Sequence, residues 1–207
     1  LAWTHLHDLN CGWTKTPKQS LKRSLENAQK AVSLDDSSAN AHTVLEHVYL
    51  KLGMLDKALA EGKKAIALTP NGADTNALHS YALLGLGRYK EALTTINKAI
   101  HLNPIPPNYY RVAEGGAYMN IGQYEKAIEL FKKALLLNPH LLWAHVRLTM
   151  CYSLTGQEEK AHAQAKEVLR IMPEFNADWY VKNVLPSGKM RDRQSFYINA
   201  LRKAGLE

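Results

Sequence analysis

The sequence runs to 207 residues, 46% of them hydrophobic and 22% charged, with a formal net charge of +7. That balance suits a folded chain of one domain or two small ones and argues against disorder. No apolar run approaches the length of a bilayer crossing and no secretory leader is legible, so membrane insertion is not expected.

Beginning at Leu1, the sequence reads as an excerpt of a longer protein. Cys11 and Cys151 stand far apart without metal-ligand spacing, which points to a reducing, cytoplasmic setting. The most basic segment carries Lys182, Lys189, Arg191, Arg193, Arg202 and Lys203 against Asp192. It reads as a solvated helix face, and no nucleic-acid contact is expected of it.

In chain order, the first legible element opens at "TPKQ". Thr16 is placed to cap a helix, Pro17 to begin it and Gln19 to reach back, a capping box with Pro at the first helical position. Leu21, Leu25, Ala28 and Val32 then share one face. The segment "AVSLDDSS" aligns with "AIALTPNG" further on, so residues 1–38 read as a degenerate first unit with a shortened or irregular first helix.

Four near-copies follow, "GMLDKALAEGKKAIALTPN", "GRYKEALTTINKAIHLNPI", "GQYEKAIELFKKALLLNPH" and "GQEEKAHAQAKEVLRIMPE". They open at Gly53, Gly87, Gly122 and Gly156, at intervals of 34, 35 and 34. Ala58, Ala92, Ala127 and Ala161 hold one position of the second helix; Ala65, Ala99, Ala134 and Val168 hold another. Small side chains there let paired helices approach closely. Pro70, Pro104, Pro139 and Pro173 each stop that helix. In the third copy Ala127, Ile128, Phe131, Ala134 and Leu135 form a core-facing stripe.

After the last copy, "NADWYVKN" reads as the first helix of a further unit, cut short at Pro186, Ser187 and Gly188. A final helix from about Arg191 sets Phe196, Tyr197, Ala200, Leu201 and Ala204 on one side and ends at Gly205, placed to cover the exposed face of the stack.

Two helices per unit at a period of about 34 residues is the tetratricopeptide spacing, and residues 39–175 resemble four such repeats in tandem, at 39–72, 73–107, 108–141 and 142–175. Residues 176–207 then read as a partial repeat and a capping helix. The resemblance implies an all-α, right-handed superhelical solenoid of antiparallel helix pairs with a C-terminal cap. The flanks, "GWTKTPKQSLKRSLENAQKAVSLDDSSANAH" and "MRDRQSFYINALRKAGLE", are similar to the repeat region that follows the catalytic domain in bacterial class III adenylate/guanylate cyclases. That similarity implies a regulatory or interaction region of a signalling protein.

The sequence departs from the repeat pattern at two positions. Where an aromatic is usual at the fourth position, His42, Asn76, Arg111 and His145 stand instead. At the seventh, His79 and Glu114 replace the usual Leu. These two either pair as a buried contact between adjacent helices or stay partly wet.

The resemblance places partner binding on the concave surface. Its predicted lining is Asn40, Thr43, Val44, His47, Leu50 and Lys51, then Asp74, Ala77, Leu78, Tyr81 and Leu84. Tyr109, Val112, Gly116, Met119 and Asn120 follow, and then Trp143, Val146, Arg147, Met150 and Leu154. The Tyr, Trp, Met and Arg among them favour a peptide or amphipathic helix as ligand. The Lys and Asn set that grips a chaperone's terminal carboxylate is missing.

No P-loop, no GxGxxG after a strand and no HExxH is present, so no catalytic residue and no cofactor is expected. The pairs His42/His47 and His140/His145 are five apart and share no helix face, so no metal site is expected from them, nor from His5 and His7. Cys151 reads as a small core residue. The expectation is a non-catalytic protein-binding scaffold, with a homo-oligomerisation module as the alternative.

Overall fold

The computed structural model describes residues 1–10, 14–184 and 190–207, with side chains left out of account at residues 10 and 190–194. Cys11, the break at 186–188 and the side chains of Lys189, Arg191, Asp192 and Arg193 therefore lie outside the described residues. Within them the chain is all helical, with twelve helices and no strand.

The helices are α1 (Ala2–Asn10), α2 (Pro17–Leu34), α3 (Ala39–Lys51), α4 (Leu55–Leu68), α5 (Ala73–Gly85) and α6 (Tyr89–Leu102). They continue as α7 (Asn108–Asn120), α8 (Tyr124–Leu137), α9 (Leu142–Leu154), α10 (Glu158–Ile171), α11 (Ala177–Asn183) and α12 (Met190–Lys203). Two compact units divide them, Leu1–Pro104 and Ile105–Glu207. In the first, α1/α2, α3/α4 and α5/α6 are antiparallel pairs packed in succession; in the second, α7/α8 and α9/α10 are, with α11 and α12 added.

Four of the hairpins turn at the same glycine. Gly53, Gly87, Gly122 and Gly156 have φ of 73°, 74°, 81° and 72°, in the left-handed region that costs Gly least. Gly53 N–H donates to Leu50 O and Met54 N–H to Tyr49 O, the double bond of a Schellman ending, and the other three turns repeat it residue for residue. The second helix then starts two residues later.

The capping box at "TPKQ" does not form. Pro17 begins α2, but the Thr16 side chain makes no cap bond. Its neighbour Thr14 competes instead, its hydroxyl accepting from Thr16 N–H and pairing with the Ser20 hydroxyl at 2.8 Å.

Ala58, Ala92, Ala127, Ala161, Ala65, Ala99, Ala134 and Val168 are all buried. Beside them runs a second rule of volume. Position eight of the first helix holds Glu46, Ser80, Gly115 and Thr149, and the facing position of the second helix holds Gly62, Ile96, Phe131 and Ala165. A Cβ on Gly115 would strike the Phe131 ring, and one on Gly62 would strike Glu46 and His79. Large faces small in both pairs, as close packing requires.

The fourth position shows what replaces the usual aromatic. His42 Nε2 lies 3.0 Å from Asp36 O, and His145 Nε2 lies 2.9 Å from Pro139 O, each six residues back. Asn76 Nδ2 donates to Pro70 O at 3.2 Å and Arg111 Nη1 to Pro106 O at 3.2 Å. All four side chains tie down a carbonyl of the turn leading into their own helix. The two histidines also reach forward, His42 Nδ1 to Glu61 at 2.6 Å and His145 Nδ1 to Gln164 at 2.7 Å.

Candidate interaction surface

In the first unit the inner face is carried by α1, α3 and α5. Asn40 and Asp74, at the starts of α3 and α5, are exposed; His47, Lys51 and Tyr81 are half-buried. His47 is held by a hydrogen bond and a ring contact. Its Nε2 lies 3.0 Å from Leu78 O on α5, and its ring stands 5.2 Å from Trp3 of α1. Burial pushes the His47 imidazole down to about 4, so the ring is neutral at pH 7 and donates to that carbonyl. Burial also lowers the Lys51 ammonium. Thr43 does not reach the surface: it is 1% exposed, with its hydroxyl donating to Ala39 O. Val44, Ala77 and Leu84 are buried too, while Leu50 and Leu78 are half-buried.

The second unit differs. Met119 and Met150 are 5% and 0% exposed, and α12 is packed against α9. Tyr197 of α12 sends its hydroxyl to Met119 O of α7 at 3.1 Å. The C-terminal turn is held further by Ala177 N–H to Leu206 O, by His162 Nδ1 near Ala204 O, and by the pairs Arg202–Asp178 and Lys203–Glu158. The expected ligand positions around α7 and α9 are thus partly covered by the chain's own last helix.

The remaining residues there are engaged internally. Asn120 donates back to Gly116 O at 2.8 Å. Arg147 donates to Val112 O and lies 5.9 Å from the centre of the Phe131 ring. Half-buried Tyr109 packs edge-on against Tyr110 at 4.9 Å, and half-buried Trp143 stands 6.4 Å from Tyr180. Val112, Gly116 and Val146 are buried, and Leu154 is half-buried.

His79 corrects the sequence reading. Its Nδ1 lies 2.6 Å from Oε1 of Glu46, on the preceding inner helix, so its partner is not Glu114. Glu114 is half-buried, and burial raises its carboxyl. The pattern at position eight carried the signal for the true pair: where the third copy has Gly115 facing Phe131, the first has Glu46 facing Gly62.

Burial pushes the Cys151 thiol up to about 12, which denies it the thiolate a nucleophile needs. Among the described residues no three His, Cys, Asp or Glu gather as a metal site, and no helix is long and apolar enough to cross a membrane.

Helix pairs of 13 and 14 residues, turning at one left-handed Gly and stopping before Pro, meet family models of the same period. Residues 73–106 and 122–181 each match a model described as tetratricopeptide repeat. The chain carries tetratricopeptide repeats. Solved structures, two of them described as tetratricopeptide proteins, share the fold. PilW, described as a widely conserved type IV pilus biogenesis factor, superposes with a TM-score of 0.69 at 20% identity, covering 98% of this chain and 88% of that one. A thermophilic tetratricopeptide protein of Thermus thermophilus gives 0.68 at 22% identity, with 98% and 100% covered. YrrB, described as having an unusual peptide-binding site, gives 0.54 at 20% identity over 86% and 90%. At these identities the likeness is one of fold. No curated protein sequence matches the chain.

Proposed function

We propose that these tetratricopeptide repeats form a non-catalytic scaffold that binds a segment of another protein on the inner face of the first unit. The observation that carries this reading is the contrast between the two inner faces. Around α7 and α9 the chain's own α12 lies against the ligand positions, whereas the packed helices α3 and α5 carry Asn40, His47, Lys51, Asp74 and Tyr81, all exposed or half-buried. A neutral imidazole already fixed to a backbone carbonyl, beside the Trp3 indole, suits a peptide with apolar side chains. Lys51 and Asp74 supply charge of both signs. Tyr109, Trp143 and Arg147 remain part of the proposal as a second contact region at the margin of α12.

The cyclase setting belongs to the same proposal and draws its support from the two flanking strings alone. In that setting the scaffold recruits a partner beside a catalytic domain. A cytoplasmic location draws its support from the thiol content of the sequence.

The test is capture from a lysate of the source cell by three versions of the chain. These are the wild type, His47→Ala/Tyr81→Ala and Tyr109→Ala/Trp143→Ala, each with its helicity checked by circular dichroism. Loss of a captured protein with the first double variant supports the reading; equal capture by all three overturns it. Sedimentation of the chain alone reads self-association, and a concentration-dependent mass without a captured protein would favour the oligomerisation module.

A further inference from the structure

A pocket of about 330 Å³ opens in the first unit between α4, α5 and α6. Lys63 and Ile66 line it from α4, Asn76 and His79 from α5, and Thr94, Thr95 and Lys98 from α6. We propose that it is an oxyanion site, taking inorganic phosphate or a phosphate monoester on Lys63, Lys98 and His79.

Three features of the pocket combine. Its lining has two lysines and no carboxylate. Neither Lys63 nor Lys98 makes an ion pair or hydrogen bond among the described residues, while Lys64 next door is paired with Asp36 and Arg88 with Glu91. A surface that only needed solubility would intersperse acids here, as its neighbours do.

His79 is 8% exposed, yet it lines the cavity. Its Nδ1 is taken by Glu46, and the ring has no other partner among the described residues, which leaves Nε2 for a ligand. A carboxyl group behind one ring nitrogen fixes the orientation of the imidazole, as the outer partners of functional histidines do.

The pair beneath is costly as pure architecture. Glu46 is fully buried, and its Oε2 has no hydrogen-bond partner. Apolar side chains of similar volume would fill such a place at less cost. A buried titratable pair that opens onto a cleft is a candidate functional group. A tetrahedral oxyanion suits this set of groups: two exposed, flexible ammonium groups and one buried, oriented ring nitrogen. The Thr94 and Thr95 hydroxyls, now donating to Lys90 O and Glu91 O, can turn toward the ligand at the loss of one local bond each.

The test is isothermal titration of the full chain at low ionic strength and pH 6 with inorganic phosphate, O-phosphoserine and serine. The variants are Lys63→Met, Lys98→Met and His79→Gln, with Lys132→Met as an equal charge change on exposed α8. Binding of phosphate or phosphoserine but not serine, weakened at least tenfold by Lys63→Met and by Lys98→Met and unchanged by Lys132→Met, supports the site. Preference for phosphoserine over phosphate points to a phosphorylated side chain as the natural source; the reverse points to the free ion. No heat with either anion, or equal weakening by Lys132→Met, overturns it. The two rim lysines are exposed, so the outcome stands even if His79→Gln fails to fold. A nuclear magnetic resonance titration must also move the His79 ring signals; anion binding that leaves them still would place the ion elsewhere.

Discussion

His79 Nδ1 lies 2.6 Å from Glu46 Oε1, thirty-three residues earlier in the chain, and Gly62 is the notch that admits both side chains. Helix α4 pays a propensity cost for that Gly, about 1 kcal/mol relative to Ala. Substituting Gly62→Ala recovers this but drives a methyl into a buried, mutually bound pair. The expected result is a net loss of about 1–3 kcal/mol in urea unfolding. Gly85→Ala is the comparison: its Cβ would meet only the end of the half-buried Leu50 side chain, which can turn away, so its loss should be the smaller.

Glu46 and His47 are adjacent and pull stability in opposite directions with pH. Burial raises the Glu46 carboxyl to about 7, partly opposed by the bond to His79, so the folded state holds a proton that the unfolded chain releases near 4.5. Its stabilising share is complete below about pH 4.5 and is lost as pH rises through 7. His47, lowered to about 4, works the other way: its share is present above about pH 6.5 and is lost as pH falls through 4. In the window between, Glu46→Gln should make stability rise more steeply with pH, and His47→Gln should make it fall more steeply. The Glu46 effect should be the larger, on the order of 3 kcal/mol across the window, because His47 is only half-buried. Chemical denaturation of both variants at pH 4.5, 5.5 and 7 checks the signs.

The tandem register was open to reading from the residues: the glycines, alanines and prolines recur because each has one backbone or packing task that no neighbour can take over. The pairing of His79 with Glu46 was legible only in the volumes at position eight, Glu46 opposite Gly62, and not in the spacing of the copies, which offered Glu114 as well. The cap at Thr16 failed for a similar reason, since Thr14 offers a competing hydroxyl two residues away. Met119 and Met150 sit at positions read as ligand-facing; the last helix was expected to cover the stack, but the period does not tell that it lies beside α9 and over these positions.

That helix is held in part by Tyr197. Tyr197→Phe removes the bond to Met119 O, whose other partner, Gly122 N–H, remains. A loss of about 0.5–1.5 kcal/mol in thermal or urea unfolding is expected. Tyr197→Ala also removes buried ring area, and should cost more than twice as much and raise hydrogen exchange in the last turn of α12.

At the fourth position, His145→Ala strips the partner from Pro139 O and from Gln164 together. His42→Ala does the same to Asp36 O and Glu61. Each should lower stability by about 1–3 kcal/mol, and the two losses should add, because the residues lie in different units.

Cys151 should be inert in the native protein. In a Cys11→Ser background, iodoacetamide at pH 8 is expected to leave the folded chain unlabelled and to modify it stoichiometrically in urea, read by mass spectrometry.

The fourth-position side chains bear on how such an array could lengthen. An aromatic there would need a cavity shaped by several neighbouring residues. His42 instead closes a circuit from Asp36 to Glu61, and His145 one from Pro139 to Gln164, each inside a single period of the chain. A duplication of that one stretch of gene copies donor and acceptors together, so the new unit arrives with its polar groups already matched and asks only small apolar faces of the units beside it.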